Sequence, residues 1–292
     1  VPVSLPGATL ANGLTIKKSK LRGVDSNGMM CSAVECGLTD SSPGVWVLPP
    51  DSPVGDDFIE FAQLKDTLFD VAILPNRGDC LSMHGLAREC CALYGQTLPD
   101  QSNQNQPDSR VSTPIELTVD ESLCSYYQAT KISGLSHVET PVWMQTRLYK
   151  SGMRPISWLV DVTNYVMLAV GQPLHAFDGN NVSTISVERG GSESVSLLND
   201  TEYSINQCPI IRVNNNVGAV AGVMGTAGTE VTQGTTEIVL ESAIFNAVET
   251  RRATKQLGLR SESSNRFEKG VDITQLNQAV EYVIELLSSN NN

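Results

Sequence analysis

The amino-acid sequence predicts an α+β fold, in which short β-strands and many turns are combined with a few amphipathic helices. The 292 residues include 23 glycines and 14 prolines, a composition typical of chains with frequent turns. Residues 182–240 form a series of short apolar runs separated by Gly, Asn and Ser, which predicts strands. Residues 275–287 instead place their apolar side chains on one side at helical spacing. This length favours about two domains, or one large domain with appendages.

Residues 1–60 are predicted to form short strands, because Pro-Gly at 6–7 and Asn-Gly at 12–13 and 27–28 are turn signals. A dense basic cluster lies in this region and consists of Lys17, Lys18, Lys20 and Arg22. Lysines are common at exposed strand edges, where they discourage unwanted pairing. The cluster is therefore either a solvated hairpin edge or a phosphate contact, and the residues themselves leave both interpretations open.

Residues 66–98 predict a strand followed by a helix. Residues 66–74 alternate roughly as a strand, residues 75–79 resemble a turn, and Asp79 occupies the position of a helix N-cap. Gly95 supplies the stop signal of that helix. His84 lies beside the apolar stripe and is interpreted as an ordinary packed or surface helix residue.

Residues 101–109 are polar and contain no apolar residue, which predicts a linker and a domain boundary. Beyond it, the patterns predict strands at 115–119 and 126–132 and helices at 141–151, 243–257 and 275–287. Residues 159–168 fit either a strand or a helix. Residues 260–265 are interpreted as a loop.

The charge and the cysteines exclude several classes of protein. The net charge of −12 disfavours broad, non-specific nucleic-acid binding, although it leaves room for a local basic contact. The chain contains no apolar stretch long enough to predict a transmembrane helix. Its seven cysteines lack the spacing of a metal site, so we interpret them as small apolar fillers in a reducing compartment.

Three segments place polar residues within or at the ends of apolar runs: 161–178, 218–241 and 260–272. The polar groups are Asn164, His175, Glu241, Ser261, Asn265 and Arg266. Buried polar groups need partners, and their recurrence at the ends of apolar runs favours a ligand site. Each also has a structural interpretation: a satisfied core histidine, a strand-end glutamate paired with Arg251, or an asparagine in a turn or cap. Glycines at 218, 222 and 225 fit either close approach to a ligand or tight strand packing.

On these residues the chain resembles the β subunits of bacterial phenylalanyl-tRNA synthetase. LRGVDSNGMMCSAVECGL at 21–38 resembles the end of their tRNA-binding OB-fold insert, and LPNRGDCLSMHGLAREC at 74–90 resembles the adjoining module. DVTNYVMLAVGQPLHAFD at 161–178, VLESAIF at 239–245 and SSNRFEKGVD at 263–272 resemble their central editing domain. The match covers essentially the whole chain as several long, ordered motifs.

The resemblance implies five parts. Residues 1–60 would be the C-terminal part of the OB-fold β-barrel, 61–100 a small α/β strand–helix module, and 101–114 a linker. Residues 115–275 would be a large mixed α/β editing domain, and 276–292 a C-terminal helix and tail. The chain would be an internal piece of a longer cytoplasmic subunit. ATP and magnesium would belong to the parent enzyme, so no cofactor or metal is expected in this chain. The implied partners are tRNA(Phe) and the α subunit of a heterotetramer of two α and two β chains, with no membrane contact.

By the same resemblance, the central domain would hydrolyse tyrosine wrongly attached to tRNA(Phe), by attack of water without a metal, and the chain alone would not catalyse aminoacylation. The implied catalytic residues are His175, Glu241 and Asn164. The implied substrate-binding residues are Thr163, Gly218, Gly222, Ser261 and Ser263, and the basic cluster would contact tRNA. Many relatives carry a small Ala where this chain has Ser263, so its hydroxyl could alter pocket polarity. The base is either His175 or a hydroxyl of the terminal ribose.

Two other functions remain open at this point. The chain could be a non-catalytic module that binds tRNA and supports the subunit, or an unrelated hydrolase with a cysteine or serine nucleophile. The second lacks sequence support, because no G-x-S-x-G motif surrounds Ser261 or Ser263. Salt-dependent tRNA binding without hydrolysis would favour the first alternative, and active-site labelling would favour the second.

Overall fold

The computed structural model describes residues 1–98, 111–112, 115–136 and 138–289. The linker predicted at 101–109 lies outside these residues, so it stays a prediction, as does the division of the chain into five parts. The described residues form two compact units, one of Val1–Asp70 with Glu139–Asp161 and one of Val71–Val138 with Val162–Asn292. The predicted α+β class is confirmed, because helices and mostly antiparallel sheets occur together.

The described helices are α1 (Phe58–Phe61), α2 (Met83–Tyr94), α3 (Val142–Lys150), α4 (Trp158–Val170), α5 (Ala247–Leu257), α6 (Glu262–Lys269) and α7 (Gln275–Ser289). The described strands up to the middle of the chain are β1 (Val3–Ser4), β2 (Ser19–Leu21), β3 (Val24–Ser26), β4 (Met29–Met30), β5 (Val111–Ser112), β6 (Glu116–Val119), β7 (Cys124–Ser133) and β8 (Leu174–Asp178). The remaining strands are β9 (Thr184–Arg189), β10 (Ser192–Ser196), β11 (Glu202–Asn206), β12 (Pro209–Val213), β13 (Asn216–Val220), β14 (Met224–Gly225) and β15 (Glu237–Phe245).

The first unit is built from very short strands and a small aromatic cluster. Strands β1 and β4 pair with each other, and β2 and β3 form a hairpin. Trp46 packs its edge against Phe58 and Tyr149, and its Nε1 donates a hydrogen bond to Gln145 Oε1 at 2.9 Å. Whether these strands belong to an OB-fold barrel stays a prediction.

The second unit contains two larger sheets and a hairpin. One sheet has five strands in the order β14-β13-β12-β9-β6, of which only the β9–β6 pair is parallel. The other has four antiparallel strands in the order β5-β7-β15-β8. Side chains from both sheets meet in one apolar cluster that includes Ile211, Ala219, Phe177 and Val239. The core of this unit therefore lies between the two sheets.

Strand β15 occupies the interior of the four-stranded sheet, between β7 and β8. Its sequence EIVLESAIF is almost continuously apolar rather than alternating, as expected for a strand that is covered on both faces. One face contributes Val239 and Ala243 to the core between the sheets. On the opposite face, the buried Ser242 hydroxyl donates to the carbonyl of Leu276 in α7. A polar side chain on this strand is therefore covered by protein, whichever face of the sheet it points to.

Two predictions for residues 66–98 were wrong. Residues 66–74 form no strand, because a strand requires a paired neighbour and the residues that the structure describes supply none. Asp79 belongs to a short 3-10 turn, Gly78–Cys80, and the N-cap of α2 is Ser82, whose hydroxyl accepts from the Gly85 amide at 2.9 Å. The helix itself and its stop at Gly95 in the left-handed conformation are confirmed.

In the second half of the chain, the structure decides one assignment that the sequence left open and differs from two predictions. Residues 159–168, which fitted either strand or helix, lie within α4. Residues 243–245 continue β15, and α5 begins only after Asn246, whose side chain caps it. Residues 260–265 were interpreted as a loop, but Ser261 is the N-cap of α6, with a capping box to Ser264. The sparse apolar content of this segment hid its helical character.

Candidate functional site

His175 and Glu241 face each other across a pair of neighbouring strands. In the antiparallel register of β8 and β15, His175 is the direct partner of Glu241. Directly opposed residues point to the same side of a sheet, with their Cβ atoms about 4.5–5.5 Å apart. That side is the one that meets the five-stranded sheet, because Phe177 and Val239 belong to the core between the sheets. The register therefore brings together an imidazole and a carboxylate that are distant in sequence.

A pocket opens at this point of the second unit. It encloses about 350 Å³ of space unoccupied by atoms, including the part open to solvent. The cavity volume proper is only about 50 Å³, well below the range of about 300–1,000 Å³ for drug-sized ligands, so the hollow as it stands admits a few water molecules or a small chemical group. Most of its lining residues are apolar in type, and the full set is Pro173, Leu174, His175, Ile211, Ala219, Val220, Gly222, Val223, Met224, Gly225, Glu241, Ser263 and Phe267. An apolar hollow with a few converging polar groups is the usual form of a ligand site.

Glu241 is a buried acid with one neutral hydrogen-bond donor. Its side chain is only 6% exposed, and its Oε2 accepts a hydrogen bond from the Tyr127 hydroxyl at 2.8 Å. Burial raises the pKa of the carboxyl to about 7, and the Tyr127 hydrogen bond partly opposes that rise. The structure thus pairs Glu241 with a phenol rather than with Arg251. The residue also lies within β15 and not at the end of a strand.

His175 is a neutral histidine with an unused nitrogen. Its ring packs edge-on against Phe177, with centroids 4.5 Å apart, and its Nε2 is buried without a hydrogen-bond partner among the described residues. Burial lowers the pKa of the imidazole to about 4, so the ring is uncharged near pH 7. A satisfied core histidine would use this nitrogen. An orphaned buried polar atom is rare, costs about 1–3 kcal/mol, and points to a missing ligand or water.

The two shifted groups predict opposite dependences of stability on pH. The pKa of Glu241 is higher in the folded state, so its stabilising contribution is complete below about pH 4.5 and is lost as pH rises through about 7. The pKa of His175 is lower in the folded state, so its contribution is complete above about pH 6.5 and is lost as pH falls through about 4. Between about pH 4 and 7 the two groups change the free energy of unfolding in opposite directions. In the wild-type chain the two changes therefore largely cancel.

Replacing Glu241 with glutamine is expected to reveal the effect. Relative to wild type, Glu241→Gln should gain about 3 kcal/mol of unfolding free energy between pH 4.5 and 7, which corresponds to a carboxyl pKa raised from 4.5 to about 7. Urea denaturation of both chains at several pH values measures the difference. Glu237→Gln on the same strand is the control, because Lys131 holds the pKa of Glu237 below its usual value of 4.5; its stability difference should stay nearly constant from pH 4.5 to 7 and change only as pH falls below about 4.5. A pH-independent difference for Glu241→Gln would contradict the raised pKa.

Two of the glycines that the sequence singled out, Gly218 and Gly222, lie very close to neighbouring side chains. Gly222 has φ +70°, a left-handed conformation that favours glycine, and a Cβ there would lie 3.1 Å from the rings of Phe245 and Phe267. At Gly218, a Cβ would lie 2.8 Å from Val213 and 3.2 Å from Phe177. Tight packing accounts for Gly218, which does not line the pocket, whereas Gly222 does line it.

Helix α6 carries Ser263 into the wall of the pocket. Ser263 lies in the first turn, where its hydroxyl contacts the sulfur of Met167 at 3.8 Å. Ser261 caps the helix and donates a 2.7 Å hydrogen bond to the carbonyl of Val223, a pocket residue. Arg266, only 4% exposed, donates to the carbonyls of Leu81 and Glu262 and to the Glu262 carboxylate. Ser261 and Arg266 therefore fix the helix, and Ser263 alone of the three reaches the pocket.

Thr163 and Asn164 do not line the pocket, although both lie in the second unit on α4. Thr163 is buried and Asn164 is partly buried, one helical turn before Met167. Of the eight residues that the sequence nominated for chemistry or substrate binding, the pocket thus contains His175, Glu241, Gly222 and Ser263. The roles of all eight stay predictions.

Tyr127 is the functional candidate that the sequence did not identify. It lies in β7, where the sequence predicted a strand, but its link to Glu241 spans 114 residues. Only the pairing of β7 with β15 brings the phenol to the carboxylate. Pro173, Leu174, Met224 and Phe267 were also missed, because apolar residues give no chemical signal in a sequence.

The basic cluster lies in the first unit, at the β2–β3 hairpin. Lys17, Lys18, Lys20 and Arg22 are all exposed, and Lys20 lies 3.8 Å from Asp25. This position fits the solvated hairpin edge and also leaves the charges accessible to phosphate groups. Contact with tRNA stays a prediction.

One group of side chains has the composition of a metal site. The ligand atoms of Asp79, Cys80 and Glu89 lie within 4.8 Å of one another. Arg77 already donates hydrogen bonds to both carboxylates, and burial raises the pKa of the Cys80 thiol, which disfavours the thiolate that a metal needs. We therefore assign no metal to this cluster. All seven cysteines are free thiols, and Cys31, Cys80, Cys124 and Cys208 are buried.

The family model and the curated relatives agree with the motifs. Residues 123–292 match the model of the B3/4 domain family. The chain is 40% identical to the phenylalanine–tRNA ligase β subunit of Clostridium tetani and 42% identical to that of Oleidesulfovibrio alaskensis. Each match covers 98% of this chain and 37% of the relative, so the chain spans little more than a third of their length. A crystal structure of an N-terminal fragment of the phenylalanyl-tRNA synthetase β subunit from Pyrococcus horikoshii aligns over 73% of this chain and 58% of that one, with 15% identity and a TM-score of 0.40.

In the described part of the chain, none of the helices combines the length and apolar character required to cross a bilayer.

Proposed function

Because the chain belongs to the B3/4 domain family and is homologous over 98% of its length to β subunits of phenylalanine–tRNA ligase, we propose that it carries an editing site for that ligase. The proposed reaction is hydrolysis of tyrosine wrongly esterified to tRNA(Phe). The proposed partners are tRNA(Phe) and the ligase α subunit, in a cytoplasmic assembly of two α and two β chains. ATP and magnesium would serve the aminoacylation reaction elsewhere in that assembly.

One observation carries the proposal. Two directly opposed strand positions place an unpartnered imidazole nitrogen and a buried carboxylate in the wall of one pocket. Burying these two groups destabilises the folded chain, since each would be better solvated in water. Such costs are typical of sites whose missing partner is a ligand.

The physical need for a second site follows from the limits of the first. A pocket shaped for phenylalanine cannot strongly reject an isostere that merely adds a hydroxyl. A site that requires the hydroxyl discriminates better, because phenylalanine there would leave a buried polar group unpaired, at a cost of about 1–3 kcal/mol. We assign that requirement to Glu241, whose carboxylate accepts the hydrogen bond of a phenol.

The hydrolysis itself needs a positioned water. Water adds to the ester carbonyl carbon, the bond from that carbon to the ribose oxygen breaks, and free tyrosine and the tRNA hydroxyl result. A neutral His175 offers its unused nitrogen to orient either the water or the ester, and a ribose hydroxyl of the tRNA is the alternative base. Asn164, Thr163 and Ser261 would then act from outside the lining of the pocket, by positioning α4 and α6.

A nucleophilic serine or cysteine has weaker support. Ser261 is occupied as a helix cap, Ser263 contacts a methionine sulfur, and His175 Nε2 has no hydroxyl or thiol partner among the residues described. Burial raises the pKa of Cys124 to about 12, so that thiol is not activated. Attack by water therefore fits the pocket better than a covalent intermediate.

The experiment that tests the proposal measures discrimination between two substrates. A ligase assembled with this chain should deacylate Tyr-tRNA(Phe) much faster than Phe-tRNA(Phe). Glu241→Gln is expected to reduce that preference by about 10- to 100-fold, because an amide replaces the charged acceptor. The matched control is Glu237→Gln on the same strand, which lies outside the pocket and should retain the preference.

An unchanged preference in Glu241→Gln would refute the assignment of the hydroxyl reader to Glu241. A wild-type ligase that binds tRNA(Phe) through this chain but leaves Tyr-tRNA(Phe) intact would refute the editing function and favour the non-catalytic scaffold instead.

A further inference from the structure

We propose that Tyr127 is a positioning residue for the hydroxyl of the substrate: its phenol occupies one oxygen of the Glu241 carboxylate and leaves the other for the tyrosyl group. This inference rests on the proposed function and deepens it. It concerns a residue outside the lining of the pocket that would act only through Glu241.

The register of the sheet fixes the contact between the two residues. Glu241 in β15 is the direct partner of Ala129 in β7, and Tyr127 is the direct partner of Ala243. Tyr127 therefore lies two residues from the direct partner of Glu241, on the same face of the sheet. Its hydroxyl reaches Glu241 Oε2 at 2.8 Å, a normal hydrogen-bond length. Among the described residues, no donor takes Oε1.

The Tyr127 ring is held in place by one aromatic neighbour, Phe245. The Tyr127 ring packs edge-on against Phe245, with centroids 6.4 Å apart, and Phe245 packs in the same way against Phe267 at 5.0 Å. Phe267 in turn lines the pocket. A glutamate side chain has several rotatable bonds, and fixing one oxygen removes most of its freedom. Tyr127 thus orients the remaining oxygen before any ligand arrives.

The surroundings of the carboxylate contain no compensating cation among the described residues. The titratable groups that face it are the Tyr127 phenol and the Cys124 thiol on β7 and the His175 imidazole on β8. Burial and the nearby carboxylate raise the pKa of both Tyr127 and Cys124, and burial lowers the pKa of His175, so all three are neutral near pH 7. Tyr127 is the group that favours the ionised form of Glu241.

The charge state matters because it decides what the free oxygen can do. An ionised carboxylate only accepts hydrogen bonds, and it can accept from two phenols at once. In a protonated carboxyl, one oxygen carries the proton and acts as a hydrogen-bond donor. Only the other oxygen then serves mainly as an acceptor. By opposing the rise in the pKa of Glu241, Tyr127 increases the ionised fraction near pH 7 and so prepares the carboxylate for a second hydroxyl donor, which tyrosine has and phenylalanine lacks.

The test compares two tyrosines that are adjacent in β7. Tyr127→Phe removes only the hydroxyl. Tyr126→Phe is the control, since Tyr126 is 39% exposed, pairs with Ile244 and lies on the opposite face. In the assembled ligase, Tyr127→Phe should move the acid limb of the pH profile for Tyr-tRNA(Phe) hydrolysis upward by about one pH unit. At pH 7 its preference for Tyr-tRNA(Phe) should fall about 10-fold, and Tyr126→Phe should match wild type.

A second readout separates this inference from the proposed function. The carboxyl of Glu241 can be titrated by carbon-13 NMR in the isolated chain, with Glu241→Gln used to assign its signal. A higher titration midpoint in Tyr127→Phe supports the inference even if the wild-type ligase fails to hydrolyse Tyr-tRNA(Phe), in which case only the function is refuted. If wild type hydrolyses and Tyr127→Phe changes neither the titration, the pH profile nor the preference, the inference is overturned and the function stands.

Discussion

Replacing His175 with alanine is expected to lower the rate of Tyr-tRNA(Phe) hydrolysis by about 10²- to 10⁴-fold, the usual cost of losing a positioned donor or base. The imidazole contributes an unpartnered nitrogen to the pocket, and no other described side chain there has comparable chemistry apart from Glu241 and Ser263. Because burial lowers the pKa of His175 to about 4, the ring stays neutral from pH 5 to 8. The loss should therefore be the same across that range.

The control for this change is a second histidine of the same chain. His84 on α2 is also partly buried, and burial likewise lowers its pKa, but it does not line the pocket. His84→Ala should hydrolyse Tyr-tRNA(Phe) at the wild-type rate. Initial rates of tyrosine release from labelled Tyr-tRNA(Phe) provide the measurement. If His175→Ala retains the wild-type rate, the imidazole has no part in the reaction.

The second large effect is expected from Gly225→Ala, which adds a single methyl group beside the imidazole. An alanine Cβ at this position would lie 2.7 Å from His175 Cε1 and 2.9 Å from its Nε2. The backbone of Gly225 is not left-handed, so the substitution acts through crowding and not through backbone strain. The ring must move, and displacing a catalytic group by about 1 Å can cost about 10²-fold in rate.

We therefore expect Gly225→Ala to lower the rate of hydrolysis by about 10²-fold. Its free energy of unfolding should fall by about 1–3 kcal/mol, the usual cost of overpacking. Gly191→Ala is the matched control, because a Cβ there meets nothing within 4 Å and its φ is not positive. Urea denaturation and the deacylation assay, run on the same three proteins, separate the two effects. Full activity in a folded Gly225→Ala protein would show that the position of the imidazole is unimportant.

Where local signals decide the structure, the sequence predicted it well. The stop of α2 at Gly95 and the predicted end of α5 at residue 257 are confirmed, since each helix is followed by a glycine in the left-handed conformation. The last of the apolar runs in residues 182–240 was predicted as a strand and forms the first part of β15, because covered strands are continuously apolar.

Prediction from local sequence patterns failed where contacts between distant residues determine the structure. Residues 66–74 have the alternation of a strand, but a strand exists only with a partner, and alternation says nothing about partners. Helix α6 has the polar composition of a loop, yet its buried Arg266 is secured by the carbonyl of Leu81, 185 residues away. The capping box of Ser261 with Ser264 and the hydrogen bonds of Arg266 to Glu262 and Leu81 stabilise this helix despite its weak apolar pattern.

The sequence by itself determined the α+β class, the C-terminal ends of α2 and α5 and the family, because these depend on short-range periodicity, caps and ordered motifs. Only the tertiary structure decided which polar residues share a pocket. It paired His175 with Glu241, supplied Tyr127 from another strand, and left Asn164 outside the lining. The physical reason is that strand register and burial are collective properties of the folded chain. Register and burial together set the pKa values of Glu241 and His175. Neither property can be read from a short stretch of sequence.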